Sequence, residues 1–278
     1  MISESRYIQD VHCNQTDDCL ETSCRQAETI GTMKEATGIS MNIIDAGSSS
    51  FSSRSTEPGE SGQKRSIYSI CVTVLDLVNH ALIILMTVFL LYCSLQSLTD
   101  TNLHVALCSV GYVLLMSEAI VVLAGESILT SRLSRSARRH VHWVLQILGL
   151  IFVVVGVALM YKRKNIHFQS THAILGIISV VIMLFLAVFG YPVFIAAKLR
   201  NFVRPVVIKF GHNFLGTACF VIGMASQCYG YEKSWLPSVA PNVPHSQTVC
   251  IVLTVIIVVL SLRGSLPSLY RQFVTLIK

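Results

Sequence analysis

The chain has 278 residues, 53% of them hydrophobic and 13% charged, with a mean hydropathy of +0.62 and a formal net charge of +6. That balance excludes one or two ordinary soluble domains and indicates a polytopic membrane protein. The basic excess sits in short connections between apolar runs, where it sets orientation, and no nucleic-acid partner is expected.

In chain order, residues 1–66 come first. They are rich in Ser, Thr, Gly and Glu, as in GISMNIIDAGSSSFSSRSTEPGESGQKR, and read as a disordered cytoplasmic tail. The start, MISESRYIQD, has no basic stretch followed by an apolar one, so no cleavable signal peptide is expected and the first span serves as insertion signal. Cys13, Cys19 and Cys24 fall in this tail and the other cysteines in or beside apolar runs, none with the CxxC spacing of a zinc or redox pair.

A membrane span needs ~20 mostly apolar residues. Six such runs follow, at roughly 68–93, 103–124, 141–161, 171–196, 206–228 and 247–263. They define a six-span unit over 67–270, with a short cytoplasmic end at 271–278. Lys64 and Arg65 precede span 1; Arg132, Arg135, Arg138 and Arg139 lie between spans 2 and 3; Lys198, Arg200 and Arg204 lie between spans 4 and 5; Arg263, Arg271 and Lys278 follow span 6. Alternating spans put all of these on one side, which the positive-inside rule makes cytoplasmic along with both termini. The YKRK cluster of Lys162, Arg163 and Lys164 breaks the rule on the opposite side.

Four consecutive spans begin with a histidine: His104 in TNLHVAL, His142 in HVHWVLQ, His172 in QSTHAILG and His212 in KFGHNFLG. On a helix, residues at i+4, i+7, i+11 and i+14 share a stripe. From His104 that stripe is Cys108, Gly111, Leu115 and Glu118; from His142 it is Gln146, Gly149, Val153 and Gly156. His172 heads Gly176, Ser179, Met183 and Leu186, and His212 heads Gly216, Cys219, Gly223 and Ser226. Small residues on such stripes either let helices approach closely or make room for something flat and bulky. Haem fits the second role, with two neutral imidazoles from facing helices as axial ligands.

Span direction sorts the pairs: His104 and His172 fall at the non-cytoplasmic face, His142 and His212 at the cytoplasmic face. Two haems so placed would divide a hydrocarbon core of ~30 Å into short hops. Arg138, Arg139, Lys198, Arg200, Arg204 and Lys209 surround the cytoplasmic pair, as candidates for an anionic donor or haem propionates. Lys162, Arg163, Lys164 and His167 lie near the other pair, as candidates for acceptor-side contacts. The neighbouring His140 heads Val144, Ile147, Ile151, Val154 and Ala158, a lipid-facing stripe, and is expected to be a bystander. The alternative is a polytopic metal-ion transporter using the same histidines as transient ligands. Transporter sites gather near the midplane on broken helices, whereas these histidines lie at span ends.

With these segments in hand, residues of about 68 to 270 resemble the cytochrome b561 family, in its free-standing, domain-containing branch of transmembrane ascorbate-dependent reductases. The resemblance is carried by LHVALCSVGYVLLMSEA, RHVHWVLQILGL, STHAILG and KFGHNFLG. It implies an all-α six-helix bundle whose central four helices hold two haem b per chain. It further implies electron transfer from cytoplasmic ascorbate to a lumenal acceptor, monodehydroascorbate or ferric iron, in an endoplasmic reticulum or vesicle membrane, as a homodimer. The segment AIVVLAGES stands where the secretory-vesicle branch has an ALLVYR-type motif, without its arginine, and STHAILG where that branch has a SLHSW-type motif.

Two acidic residues complete the inventory. His80 lies four residues after Asp76 and shares its face, as an inward-facing structural pair or a functional intramembrane one. Glu118, on the His104 stripe, is either a satisfied structural carboxyl or a group that takes up protons coupled to electron transfer. His167 and His245 lie in lumenal loops, and no GxGxxG nucleotide fingerprint occurs.

Overall fold

The computed structural model describes residues 61–124, 130, 132–190, 193, 195, 196 and 198–278, with side chains from residue 67 onward except that of Ala124. Most of the expected tail, with its three cysteines, and the GES residues of AIVVLAGES lie outside the described residues. The described chain is helical throughout, with no strand among those residues. Its elements are α1 (Ser61–Ser94), α2 (Asp100–Val121), α3 (Arg135–Arg163), α4 (Thr171–Phe189), α5 (Pro205–Tyr231), α6 (Ser246–Leu262) and α7 (Ser265–Ile277), with a short turn of helix at Trp235–Val239. From Ile67 on, α1 and the four helices that follow are long and apolar enough to cross a membrane. The bent pair α6 and α7, which meet at 47°, supplies a sixth.

Helix starts are set by capping, and this fixes the height of each histidine. The hydroxyls of Thr99, Ser134 and Ser170 accept from the backbone N–H of Asn102, Ala137 and Ala173, satisfying donors that a helix leaves unpaired. Pro205 opens α5, where its missing N–H costs nothing. The expected fourth span to 196 is too long: α4 stops at Phe189, with Gly190 as its C-cap. Gly190 accounts for the stop, since glycine is among the weakest helix formers.

Within α2, residues Ser109–Met116 form a π-helix, and the Ser117 hydroxyl donates to the Tyr112 carbonyl five residues back. Such wide turns wind less per residue, so everything after Met116 lags the α phase. The stripe reading of Glu118 is therefore corrected: it does not continue the face of His104 but meets His80 of α1.

The helices α2 and α3 pack antiparallel, as do α4 and α5, and α1 and α6 flank α2. Buried Ile83, Met86, Leu90, Val113, Val153 and Phe220 belong to the shared core. Lipid replaces water outside, so close packing rather than hydrophobic transfer holds such helices together. Glycine allows it at the α2–α3 crossing: a Cβ on Gly111 would meet Val153 Cγ2 at 2.5 Å and the Gly149 carbonyl oxygen at 3.0 Å.

Candidate functional site

The antiparallel register that sets Gly111 against Gly149 also brings each helix's histidine to the far end of the other. His104 Nδ1 donates to the Gly156 carbonyl at 2.8 Å, and His142 Nδ1 to the Ala119 carbonyl at 2.7 Å. In the second hairpin His172 Nδ1 donates to the Ser226 carbonyl at 2.8 Å. A carbonyl can only accept, so these bonds place the proton on Nδ1 and leave the Nε2 lone pair as the open coordinating atom. His212 differs: its Nδ1 is buried and has no hydrogen-bond partner among the described residues.

The four rings meet in two pairs. His104 and His172 have centroids 6.0 Å apart with ring planes at 89°, and His142 and His212 lie 6.5 Å apart at 71°. Two imidazoles on opposite sides of one first-row metal ion, each bonded at about 2 Å, would have centroids about 6 Å apart. The residues therefore fit haem ligation by the spacing of both pairs and, for His104, His142 and His172, by the carbonyls that orient the rings and leave Nε2 open.

A cavity of about 570 Å³ surrounds the first pair, a size usual for a small-molecule or cofactor site. Its wall includes His104, Cys108, Tyr112, His172, Gly176 and Val180. Arg163, Lys164, His167 and Lys233 also line it, so two of the three expected YKRK cations and the expected histidine reach this cavity. Lys162 is exposed and is not part of its wall. His167 stacks on Tyr161, with centroids 4.0 Å apart and planes at 14°. At the other end Arg139, Lys198, Arg200, Arg204 and Lys209 are exposed and Arg138 is half-buried. His140 is exposed and donates to the carbonyl of Ser136 on its own helix, while Ile151 and Val154 of its stripe face outward.

The small-residue stripes divide in a way that spacing did not show. Gly111, Gly149 and Gly156 abut the neighbouring helix, so for them close approach is the reason. Gly223 makes the slot for the Tyr112 ring. Gly176 lines the cavity, and a Cβ on Gly216 would meet nothing within 4 Å, so these two border open space beside His172 and His212. Sequence reasoning missed Tyr112, which is buried and donates to Ser179 Oγ at 2.9 Å, while Ser179 donates to the Cys219 carbonyl at 3.0 Å. Only its stripe neighbours Ser179, Cys219 and Gly223 were visible as a small, weakly polar patch.

Comparison with known proteins adds an independent finding. A family model described as eukaryotic cytochrome b561 matches residues 103–237. The transmembrane reductases CYB561D2 of Bos taurus and Homo sapiens are each 26% identical over 211 residues, covering 74% of this chain and 94% of theirs. A probable ascorbate-specific transmembrane electron transporter 1 of Oryza sativa subsp. japonica is 26% identical over 134 residues, 47% of this chain and 55% of its own.

Proposed function

We propose that the chain, which resembles the cytochrome b561 family over residues 103–237, carries electrons across a membrane from cytoplasmic ascorbate to an acceptor at the far face, and that His142 and His212 would hold one haem b and His104 and His172 a second. The observation that carries the proposal is the pairing of the rings, three of which are anchored through Nδ1 on a helix carbonyl. Each haem, when bound, supplies an iron that changes oxidation state by one electron.

The chain's own residues do the rest. Backbone carbonyls hold the rings of His104, His142 and His172 in one tautomer and orientation, which raises their basicity as ligands. Arg163, Lys164 and Lys233 give the mouth of the non-cytoplasmic cavity a positive field, which concentrates an anionic acceptor there. Monodehydroascorbate and an anionic ferric chelate both meet that description. The name of the rice relative and the exposed cations beside α3 and α5 support ascorbate as donor.

A reduced-minus-oxidised absorption spectrum of the purified protein should show bis-histidine b-type bands with two haems per chain. The variant His142→Ala should keep one haem. No such bands in the wild-type spectrum would remove the proposal, and two haems retained in the variant would assign the ligand elsewhere.

A further inference from the structure

One buried ionisable cluster lies outside both histidine pairs. His80 of α1 sits between two carboxylates, with Nδ1 2.8 Å from Glu118 of α2 and Nε2 3.5 Å from Asp76 one turn earlier. Asp76 and His80 are both buried, at 2% and 6% exposure. From the end of α6, Arg263 places Nη2 3.9 Å from Asp76 Oδ1. Asn79, beside His80, donates to Ser261 Oγ of α6 at 3.1 Å, so three helices converge here.

The chemistry of the ring decides what this arrangement does. A neutral imidazole has one N–H and one lone pair. Between two carboxylates it satisfies one and turns its lone pair on the other, an arrangement that costs most where water is scarce. An imidazolium donates to both. Charge points the same way: Asp76, Glu118 and Arg263 together carry one negative charge, which a proton on His80 cancels. Ionisable groups inside a membrane are expensive and are retained for function. The Arg263 side chain, about a quarter exposed at 26%, opens the cluster to the surface at the end of α6, the end that the distribution of basic residues makes cytoplasmic.

The position relative to the redox site gives this proton a use. Glu118 immediately precedes Ala119, whose carbonyl anchors the His142 ring, and the π-turn in α2 is what aims Glu118 at α1. We propose that His80, held by Glu118 and Asp76, is a proton-binding site whose occupancy is coupled to electron arrival at the His142/His212 centre. One electron entering that centre adds one negative charge. At a pH where the ring is still neutral before the electron arrives, one proton from cytoplasmic water then binds the His80 imidazole, and it returns to that side when the electron leaves. No proton crosses the membrane, and Arg263, Asp76 and Glu118 keep their charges throughout.

The inference rests on the haem reading above, so its test has two parts. Nitrogen-15 histidine NMR of the protein, with the His80 signal assigned by its loss in His80→Gln, should show that ring taking up a second N–H as pH falls toward neutrality. A ring that stays neutral across that range, with or without haem, overturns the proposal. In the holoprotein the potential of the His142/His212 haem should fall with rising pH, by up to ~59 mV for each tenfold drop in proton activity. His80→Gln should flatten this slope, as should Glu118→Gln, which serves if the first variant does not hold haem. An unchanged slope in the variant that does hold haem overturns the coupling. Absent b-type bands in the wild type would instead defeat the haem reading alone.

Discussion

Gly216 and Gly223, two turns apart on α5, show how one residue type serves opposite purposes. A methyl group on Gly223 would drive into the Tyr112 ring and meet Ser179 Oγ at 2.9 Å, whereas on Gly216 it would touch nothing within 4 Å. Overpacking a tight core costs about 1–3 kcal/mol. Gly223→Ala should therefore lower the thermal unfolding midpoint in detergent, and Gly216→Ala should leave it unchanged. Gly216→Phe should lower the haem-to-protein ratio by about half, because its ring would fill the space beside His212. Equal unfolding midpoints for the two alanine variants would contradict the packing described. At this scale the four histidines were legible because each stands at a span start. The purpose of each glycine was not, because a Cβ clash depends on the facing helix.

Among the elements, the π-turn of α2 has the widest consequences. Deleting one residue between Ser109 and Met116 would restore continuous α phase and rotate everything after it by about 100°. The Ala119 carbonyl would leave His142, and Glu118 would leave His80. The expected result is loss of the cytoplasmic haem with the His104/His172 haem retained, read from haem count and difference spectrum; retention of both would show that the wide turn is dispensable. The sequence hid this turn because hydrophobic periodicity assumes a uniform repeat, and SVGYVLLM is apolar on every face. It also hid α7 as a helix, since Pro267 three residues into it resembles a terminator until its place in the first turn is known. There α7 leans on α5 through Asn213 Nδ2 donating to Gln272 Oε1 at 2.9 Å and the Phe210–Phe273 ring pair. Span 4 was overestimated because apolar composition continues past the Gly190 C-cap.

For the whole molecule, the proposed route has two centres in series, and each should be separable from the other. In oriented vesicles with ascorbate on the cytoplasmic side, His172→Ala should leave the remaining haem reducible while flux to an external acceptor falls at least tenfold. Preserved flux would mean that the electron bypasses that pair. Replacing Arg163 and Lys164 together by Glu should raise KM for an anionic acceptor several-fold, more strongly at low salt, with the haem spectrum unchanged. An unaltered KM would place acceptor binding away from the cavity mouth. Architecture at this scale was the most legible, since the number of spans follows from the count and length of the apolar runs. The join between α1, α2 and α6 through His80, Glu118 and Asp76 was not, because no local pattern says which helices become neighbours.

The hairpin of α2 and α3 also acts as a ruler. His142 and Gly156, the anchors of the two sites on α3, lie on one continuous helix, and at 1.5 Å per residue their backbones are about 21 Å apart along its axis. The rise of a single helix thus sets the distance between the ligand layers. Loops at either membrane face can lengthen or change without altering it, but a single inserted residue between those anchors would alter the spacing and break the alignment of at least one site.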